Sequence, residues 1–378
     1  MKKKIGKITR AVFLSIYLLV CLLYLAAVFI PMLNPARWWF ISMLAYIFPG
    51  LLLALLLFIP AWALQKKRRY VFISIAVILC GWKNITSCFA MGNYNGSISA
   101  KDPGSIRVLT WNVMRMVGIE GTPKEKDQVK NKAVKLIVDQ RPDIICLQEY
   151  VNGAPHTGFS IIALMADSLG YKYSFFSRDF EWFEGTIHQG VVIFSKYPII
   201  DSGKVKFPPP SSPQSIIYAD IKKGKDIFRV YTTHLQSFRL MGEDYESLHN
   251  LKTEYVADVD DSKRIFRKVK RGLVNRSIQA DLVRKELDKS PFPKIICGDF
   301  NDVPGSYTYY TIKGSDMKDA FLQKGVGFGR TFYRLSPTLR IDFIMTDDSF
   351  AVEQVYRLKQ RLSDHYGLVA DIRLNQPK

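Results

Sequence analysis

Residues 11–33 (AVFLSIYLLVCLLYLAAVFIPML) form an uncharged apolar run. About 20 apolar residues suffice to cross the hydrocarbon core of a bilayer as a helix. The run is preceded by MKKKIGKITR, which is basic like a signal-peptide leader, but it is too long for a signal h-region and no small-residue cleavage site follows cleanly. A second apolar run covers 40–64 after a short loop, NPARWW. Its Pro49, Gly50 and Pro60 are tolerable in a membrane helix. A third run begins at Tyr70 and reaches 90 only if Lys83 snorkels toward the interface. The expectation is a multi-pass anchor over residues 1–90, with spans at 11–33, 40–64 and 70–90, in an inner or plasma membrane.

Basic residues orient such an anchor. Five precede the first run, and Lys66, Lys67, Arg68 and Arg69 fill the second loop, whereas the first loop holds only Arg37. The positive-inside rule then puts the N-terminus and the second loop in the cytoplasm. Three spans deliver everything after residue 91 to the outer, periplasmic or extracellular side; two spans would leave it inside. Trp38, Trp39 and Trp82 suit an interfacial aromatic belt. The formal charge of +19 must be read against this anchor. Residues 1–103 carry 12 Lys/Arg and one acid, leaving 41 Lys/Arg against 33 acids beyond, a net of +8. Charge alone is therefore a weak argument for nucleic acid. The five cysteines show no metal or redox spacing and read as small buried hydrophobes.

Residues 91–105, rich in Gly, Ser and Asn, read as a linker. From 106 to 375, apolar β-rich runs alternate with amphipathic helical ones. The strands are IRVLTWNV, DIICLQEY, GVVIFSKYPI, QSIIYADI, DIFRVYTTHL, KIICGDF, RIDFIMT and GLVADIR. Helices are expected at 124–139, 159–169, 262–288 and 305–312. Short turns such as KKGK predict hairpins, and intervening helices predict covered mixed sheets.

These strands end repeatedly in polar residues. Asn112 closes the first, Gln148 and Glu149 the second, His234 the fifth, and Asp299 and Asn301 the sixth. Asp342 interrupts the seventh, and Asp364 and His365 precede the last. Buried carboxylates need partners, so this many strand ends point to one shared site. Oxygen ligands with His and no Cys suit Mg²⁺, Mn²⁺ or Ca²⁺ rather than zinc. Such an ion neutralises phosphate oxygens, while His and Asn donate to them. Each residue also has a bland reading: Asn112 as a turn residue, Glu149 as a solvated rim residue, 299–302 as an Asx-rich turn and Asp364-His365 as a surface pair. All of these would have to hold at once, in order.

The series TWNV, LQE, THL, GDFN, RIDF and SDH resembles the endonuclease/exonuclease/phosphatase (DNase-I-like) superfamily, here in a membrane-anchored, bacterial-type form, over 106–373. The resemblance implies a four-layer α/β sandwich, two packed mixed β-sheets flanked by helices. It implies Glu149 as the principal metal ligand with Asn112 close by and Asp364 on the metal side. Asp299 would orient or deprotonate the attacking water, and Asn301 would bind phosphate. His365 would contact the scissile phosphate with Asp342 holding its ring. His234 would be a second active-site histidine; its acidic partner is not legible in the sequence, with Glu181 and Glu184 as candidates. His156, His188 and His249 lie outside the motifs and read as ordinary. The basic run 263–276 reads as one face of an amphipathic helix with apolar positions at Ile265, Phe266, Val269, Leu273 and Ile278. Three functions remain: a lipid-proximal phosphoesterase acting on diesters or monoesters, an anchored nuclease, and a silent binding module. Retention of every motif argues against the last.

Overall fold

A computed structural model describes residues 2–92, 100–116, 123–153, 161–167, 169–211, 214–240, 242–253 and 259–375. At the N-terminus α1 (Lys2–Val28) is followed by α2 (Pro35–Ser42), α3 (Leu44–Leu64), α4 (Arg68–Cys80) and α5 (Trp82–Cys88). The stretches Ile8–Met32 and Pro35–Leu64 are long and apolar enough to cross a membrane. The expected loop NPARWW is instead helical. The Asn34 side chain accepts from the Ala36 amide at 2.8 Å and Pro35 takes the first turn, where its missing N–H costs nothing.

The third run is not one straight helix. α4 and α5 meet at a 62° bend. Gly81 at the bend lies so close to α1 that a Cβ there would sit 2.1 Å from the Tyr24 hydroxyl oxygen. With 13 residues, α4 is about 20 Å long, short of a bilayer core of about 30 Å. Lys83, expected to snorkel, lies over the Tyr310 ring at 4.7 Å. α1 and α4 run side by side in the same direction, since Tyr17 bonds the Tyr70 carbonyl and Tyr24 the Ile78 carbonyl. Cys80 is exposed and the other four cysteines are buried, all free.

A short strand, β1 (Ala90–Met91), leaves α5, and residues 93–99 of the expected linker lie outside the described residues. Then come β2 (Ile106–Asn112), α6 (Pro123–Asp139), β3 (Ile144–Gly153), α7 (Ile161–Asp167), β4 (Tyr173–Phe176), β5 (Phe180–Trp182), β6 (Ile187–Ser195), β7 (Ile199–Lys206), β8 (Ser215–Lys223) and β9 (Asp226–His234). They are followed by α8 (Gly242–Thr253), α9 (Val259–Asp288), β10 (Lys294–Asp299), α10 (Tyr307–Lys313), β11 (Met317–Asp319), α11 (Ala320–Lys324), β12 (Val326–Gly327), β13 (Asp342–Asp347), β14 (Phe350–Leu358) and β15 (Gly367–Leu374).

Two mixed sheets result. One has the order β11-β13-β10-β9-β8-β7; the other has β14-β15-β2-β3-β6-β4, with β5 also on β6. A buried layer of Val108, Ile144, Ile193, Ile217, Val230 and Ile344 fills the space between them. α6 and α7 cover the outside of one sheet; α9 and α10 cover the other. This is the expected four-layer sandwich. Strands buried on both faces explain why the sequence reads as continuous apolar runs rather than alternation. β1 pairs with β12, so the chain rejoins this body immediately after α5.

Candidate functional site

Register brings the strand-end residues together. In the first sheet β10 lies between β9, parallel, and β13, antiparallel, with Asp299 opposite both His234 and Asp342. In the second, β2 and β3 are parallel, with Asn112 opposite Gln148. A register shift between Leu147 and Tyr150 then turns Glu149 out of the ladder, with φ +51°. Asn301 is likewise left-handed, φ +52°. Non-glycine residues hold this conformation at a cost of about 1–3 kcal/mol when their surroundings enforce it. Gly298 is required by contact: a Cβ there would lie 2.1 Å from the Thr233 carbonyl oxygen.

Seven of the eight expected residues, Asn112, Glu149, His234, Asp299, Asn301, Asp364 and His365, line one cavity of about 220 Å³. The eighth, Asp342, stands behind His365. His365 Nδ1 donates to Asp342 Oδ2 at 2.9 Å, while Nε2 faces Asp299 Oδ2 at 3.7 Å. The ring is further fixed by Trp111 Nε1, which donates to the His365 carbonyl at 2.9 Å. Burial alone would lower the His365 pKa, but Asp342 and Asp299 overrule it and raise the imidazole to about 10. His365 is therefore a cation at neutral pH.

His234 is its opposite. Its Nε2 lies 3.5 Å from Asp299 and 3.9 Å from Glu149, but its Nδ1 meets the Gln214 amide nitrogen at 3.2 Å. Neither Glu181 nor Glu184 supplies a partner: Glu181 sits on β5 opposite His188, and Glu184 lies in the turn after β5. Burial lowers the His234 pKa despite the attraction of Asp299. With Nδ1 accepting from Gln214, the neutral ring presents Nε2–H to the carboxylates. Gln214 was not legible as a site residue, because a glutamine before an apolar strand carries no signal of its own. Of the remaining histidines, His156 and the side chain of His249 lie outside the described residues.

The amides organise the carboxylates. Asn112 Nδ2 donates to Asp299 Oδ2 at 3.0 Å and to Glu149 Oε1 at 3.4 Å, while its Oδ1 accepts from the Met114 amide. Asn301 donates from its backbone to Asp299 Oδ1 at 2.8 Å, and from Nδ2 to Asp299 Oδ2 and the Leu235 carbonyl. In this arrangement Asn301 holds Asp299 against the end of β9. Burial raises the Asp299 carboxyl to about 6, with the His365 charge working against it. Asp299 is thus poised to exchange a proton near neutral pH.

The donor set fits a divalent cation. Four carboxylates, Glu149, Asp299, Asp342 and Asp364, surround the His365 imidazolium with Arg115 at the edge, and burial followed by Asp364 raises the Glu149 pKa. Two groupings compete for the ion. Ligand atoms of Asp299, Asp342 and His365 lie within 4.8 Å of one another. A protonated imidazole that donates to Asp342 cannot ligate, however; Glu149 and Asp364, near enough for Asp364 to raise the Glu149 pKa, could hold the ion instead. Asn112, facing the pocket through its NH₂, would join the shell only with its amide turned over. Oxygen donors of this kind suit a hard cation.

Buried carboxylates beside a fixed imidazolium thus sit together on the strand ends of a two-sheet sandwich. The chain belongs to the Endonuclease/Exonuclease/phosphatase family, whose sequence model matches residues 109–365. A second model, described as a domain of unknown function, matches residues 10–88. No curated protein matches the chain. Among solved structures, an endonuclease/exonuclease/phosphatase from Beutenbergia cavernae DSM 12333 is 21% identical, with TM-score 0.51 and 72% of each chain covered. The human Nocturnin catalytic domain with bound sulfate is 20% identical, TM-score 0.50, covering 73% of this chain and 97% of that one. TDP2 of D. rerio, complexed with single strand DNA product, is 16% identical, TM-score 0.50, covering 72% and 100%. At these identities the likeness is one of fold.

Proposed function

We propose that the protein is a membrane-anchored, divalent-metal-dependent phosphoesterase that hydrolyses phosphodiester or phosphomonoester bonds of lipid-like substrates at the outer face of a bilayer. The observation that carries the chemistry is the convergence of Glu149, Asp299, Asp364 and His365 on one cavity. A bound Mg²⁺ or Mn²⁺, held by Glu149 and Asp364, would neutralise phosphate oxygens. Asp299, kept in place by Asn112 and Asn301, accepts the proton of the attacking water. Imidazolium His365, aimed by Asp342, donates to a phosphoryl oxygen as charge builds there. His234 adds a neutral N–H on the opposite side.

The lipid preference rests on the other wall of the cavity. Tyr46, Phe238, Leu240, Phe332, Leu335 and Leu339 make that side apolar. An anchor helix adjoins it: Tyr46 of α3 lines the cavity and bonds Asp302, while Asn34, capping α2, donates to Tyr307 elsewhere on the same body. The organisation we infer is an anchor over 1–90, a linker over 91–105 and a catalytic domain over 106–375. Its orientation follows from contacts and charge together. The catalytic body meets the Val28 end of α1 and the Leu44 end of α3, whereas the basic residues cluster at the opposite ends. By the positive-inside rule this favours an outward-facing site.

A nuclease is the alternative reading. It is favoured by a second cavity that shares Glu149, His234, Ser237 and Arg239 with the first and adds Arg115, Phe180 and Trp182. Purified full-length protein in detergent, given Mg²⁺ or Mn²⁺, separates the two. It is to be assayed on bis-p-nitrophenyl phosphate, plasmid DNA and a phospholipid panel. The proposal expects cation-dependent turnover of the small diester and of lipid. DNA cleavage without lipid turnover transfers the assignment to the nuclease, and no hydrolysis of anything removes the enzyme reading. A reporter fused after Lys378 tests the orientation: a cytoplasmic signal contradicts it.

A further inference from the structure

Tyr46 belongs to the anchor, on the first turn of α3, yet it reaches the centre of the catalytic body. Its hydroxyl donates to Asp302 Oδ1 at 2.8 Å and accepts from Arg276 Nη2 at 2.9 Å. Asp302 and Arg276 are 2% and 0% exposed, and face each other at 3.4 Å. Arg276 also donates from Nη1 to the Gln236 carbonyl at 2.7 Å, and its guanidinium lies 4.4 Å over the Phe238 ring. Asp302 directly follows Asn301, whose left-handed backbone and amide hold Asp299. Gln236 lies two residues after His234. A single hydroxyl from a membrane helix therefore completes a buried network joining both loops that carry the site.

A buried ion pair at 3.4 Å is not by itself a well-satisfied one. Each member left short of hydrogen bonds is costly, and the geometry of such a pair depends on the groups that fill its remaining positions. Tyr46 fills one on each partner. The neighbouring backbone contact, Val303 N to Asp302 Oδ1 at 3.0 Å, fixes the turn that follows Asn301. Removing the Tyr46 hydroxyl frees Asp302 to rotate, and the strained turn at Asn301 loses part of what enforces it.

We propose that Tyr46 is a positioning residue of the active site, so that the anchor sets catalytic geometry as well as location. This rests on the phosphoesterase reading above. The test uses full-length protein in nanodiscs with Mn²⁺ and bis-p-nitrophenyl phosphate, a soluble substrate that needs no route through lipid. Tyr46→Phe keeps the ring against Phe238 and removes only the hydroxyl. It is expected to lower kcat about tenfold while KM changes less than about twofold. Tyr24→Phe removes a comparable hydroxyl bond wholly inside the anchor and is expected to keep wild-type kcat. In an Asp302→Asn background, Tyr46→Phe is expected to cost nothing further, because both act through the same contact.

Wild-type kcat in Tyr46→Phe, equal losses in Tyr46→Phe and Tyr24→Phe, or full additivity with Asp302→Asn each overturns the proposal. An inactive wild type overturns both this proposal and the phosphoesterase reading. An active wild type with an unaffected Tyr46→Phe overturns this one alone.

Discussion

The two sides of the cleft hold their histidines in opposite ways. On the β13 and β15 side, His365 is paired with the buried carboxylate of Asp342 and carries a proton up to about pH 10. On the β9 side, His234 meets the neutral Gln214 amide, and burial keeps its pKa low. Both rings are buried and both face Asp299, so solvent exposure does not distinguish them. The partner at Nδ1 does. A carboxylate there turns an imidazole into a fixed positive charge; an amide leaves it a neutral donor. One site thereby obtains a charge-assisted contact and an uncharged one from the same residue type, the former roughly twice as strong.

If that contrast is correct, the two histidines should not be equivalent on removal. His365→Ala is expected to reduce kcat/KM by about two orders of magnitude or more, the scale for losing one preorganised transition-state contact. A steady-state assay showing less than a tenfold loss would break the comparison outright. Next in size is Glu149→Gln, on the cation side of His365. The Mn²⁺ concentration for half-maximal rate is expected to rise at least about tenfold, with much of the rate returning at saturating cation. A loss that excess cation does not relieve would move the metal seat to the Asp299–Asp342 grouping. His234→Ala should cost about tenfold, the value of one net hydrogen bond. A loss as large as that of His365→Ala would mean that His234 also carries charge.

The pH profile sharpens the same contrast. In the proposed reaction Asp299 acts deprotonated, and its carboxyl is raised to about 6; activity is therefore expected to fall as pH drops through about 6. Bound cation pulls that limb lower. His365 acts protonated, so the alkaline limb is expected only near 10. A profile collapsing at pH 7–8 on the alkaline side would show that Asp342 does not hold the proton. Gln214→Glu supplies His234 with the kind of partner His365 has. It is expected to raise the His234 pKa, visible as a shifted imidazole titration by NMR, while changing the rate by only about threefold.

Much of this was legible in the chain. The eight strands proposed from apolar runs all form, because strands buried on both faces cannot hide their composition. β1, β4, β5, β7, β11, β12 and β14 were not anticipated. β7 and β14 are long, but β7 is largely exposed or half-buried and β14 alternates, so neither stands out as an apolar run. The basic run 263–276 read correctly as one helix, but Arg276 within it is fully buried against Asp302. Nothing in its sequence separates it from the exposed arginines around it, since its partner is fixed only when GDFND packs against α9.

By itself the sequence determined the two-part composition, the apolar N-terminal runs, the mixed-sheet sandwich and the set of polar strand ends, because periodicity and burial act locally along a chain. The tertiary structure alone decided which atoms meet. Strand register put Asp299 between His234 and Asp342, a one-place bulge turned Glu149 into the cleft, and Gln214 rather than a carboxylate reached His234. It also brought Tyr46 of α3 to Asp302, a separation of 256 residues in the chain. Contacts of that range depend on how whole layers pack, and no local pattern of residues encodes them.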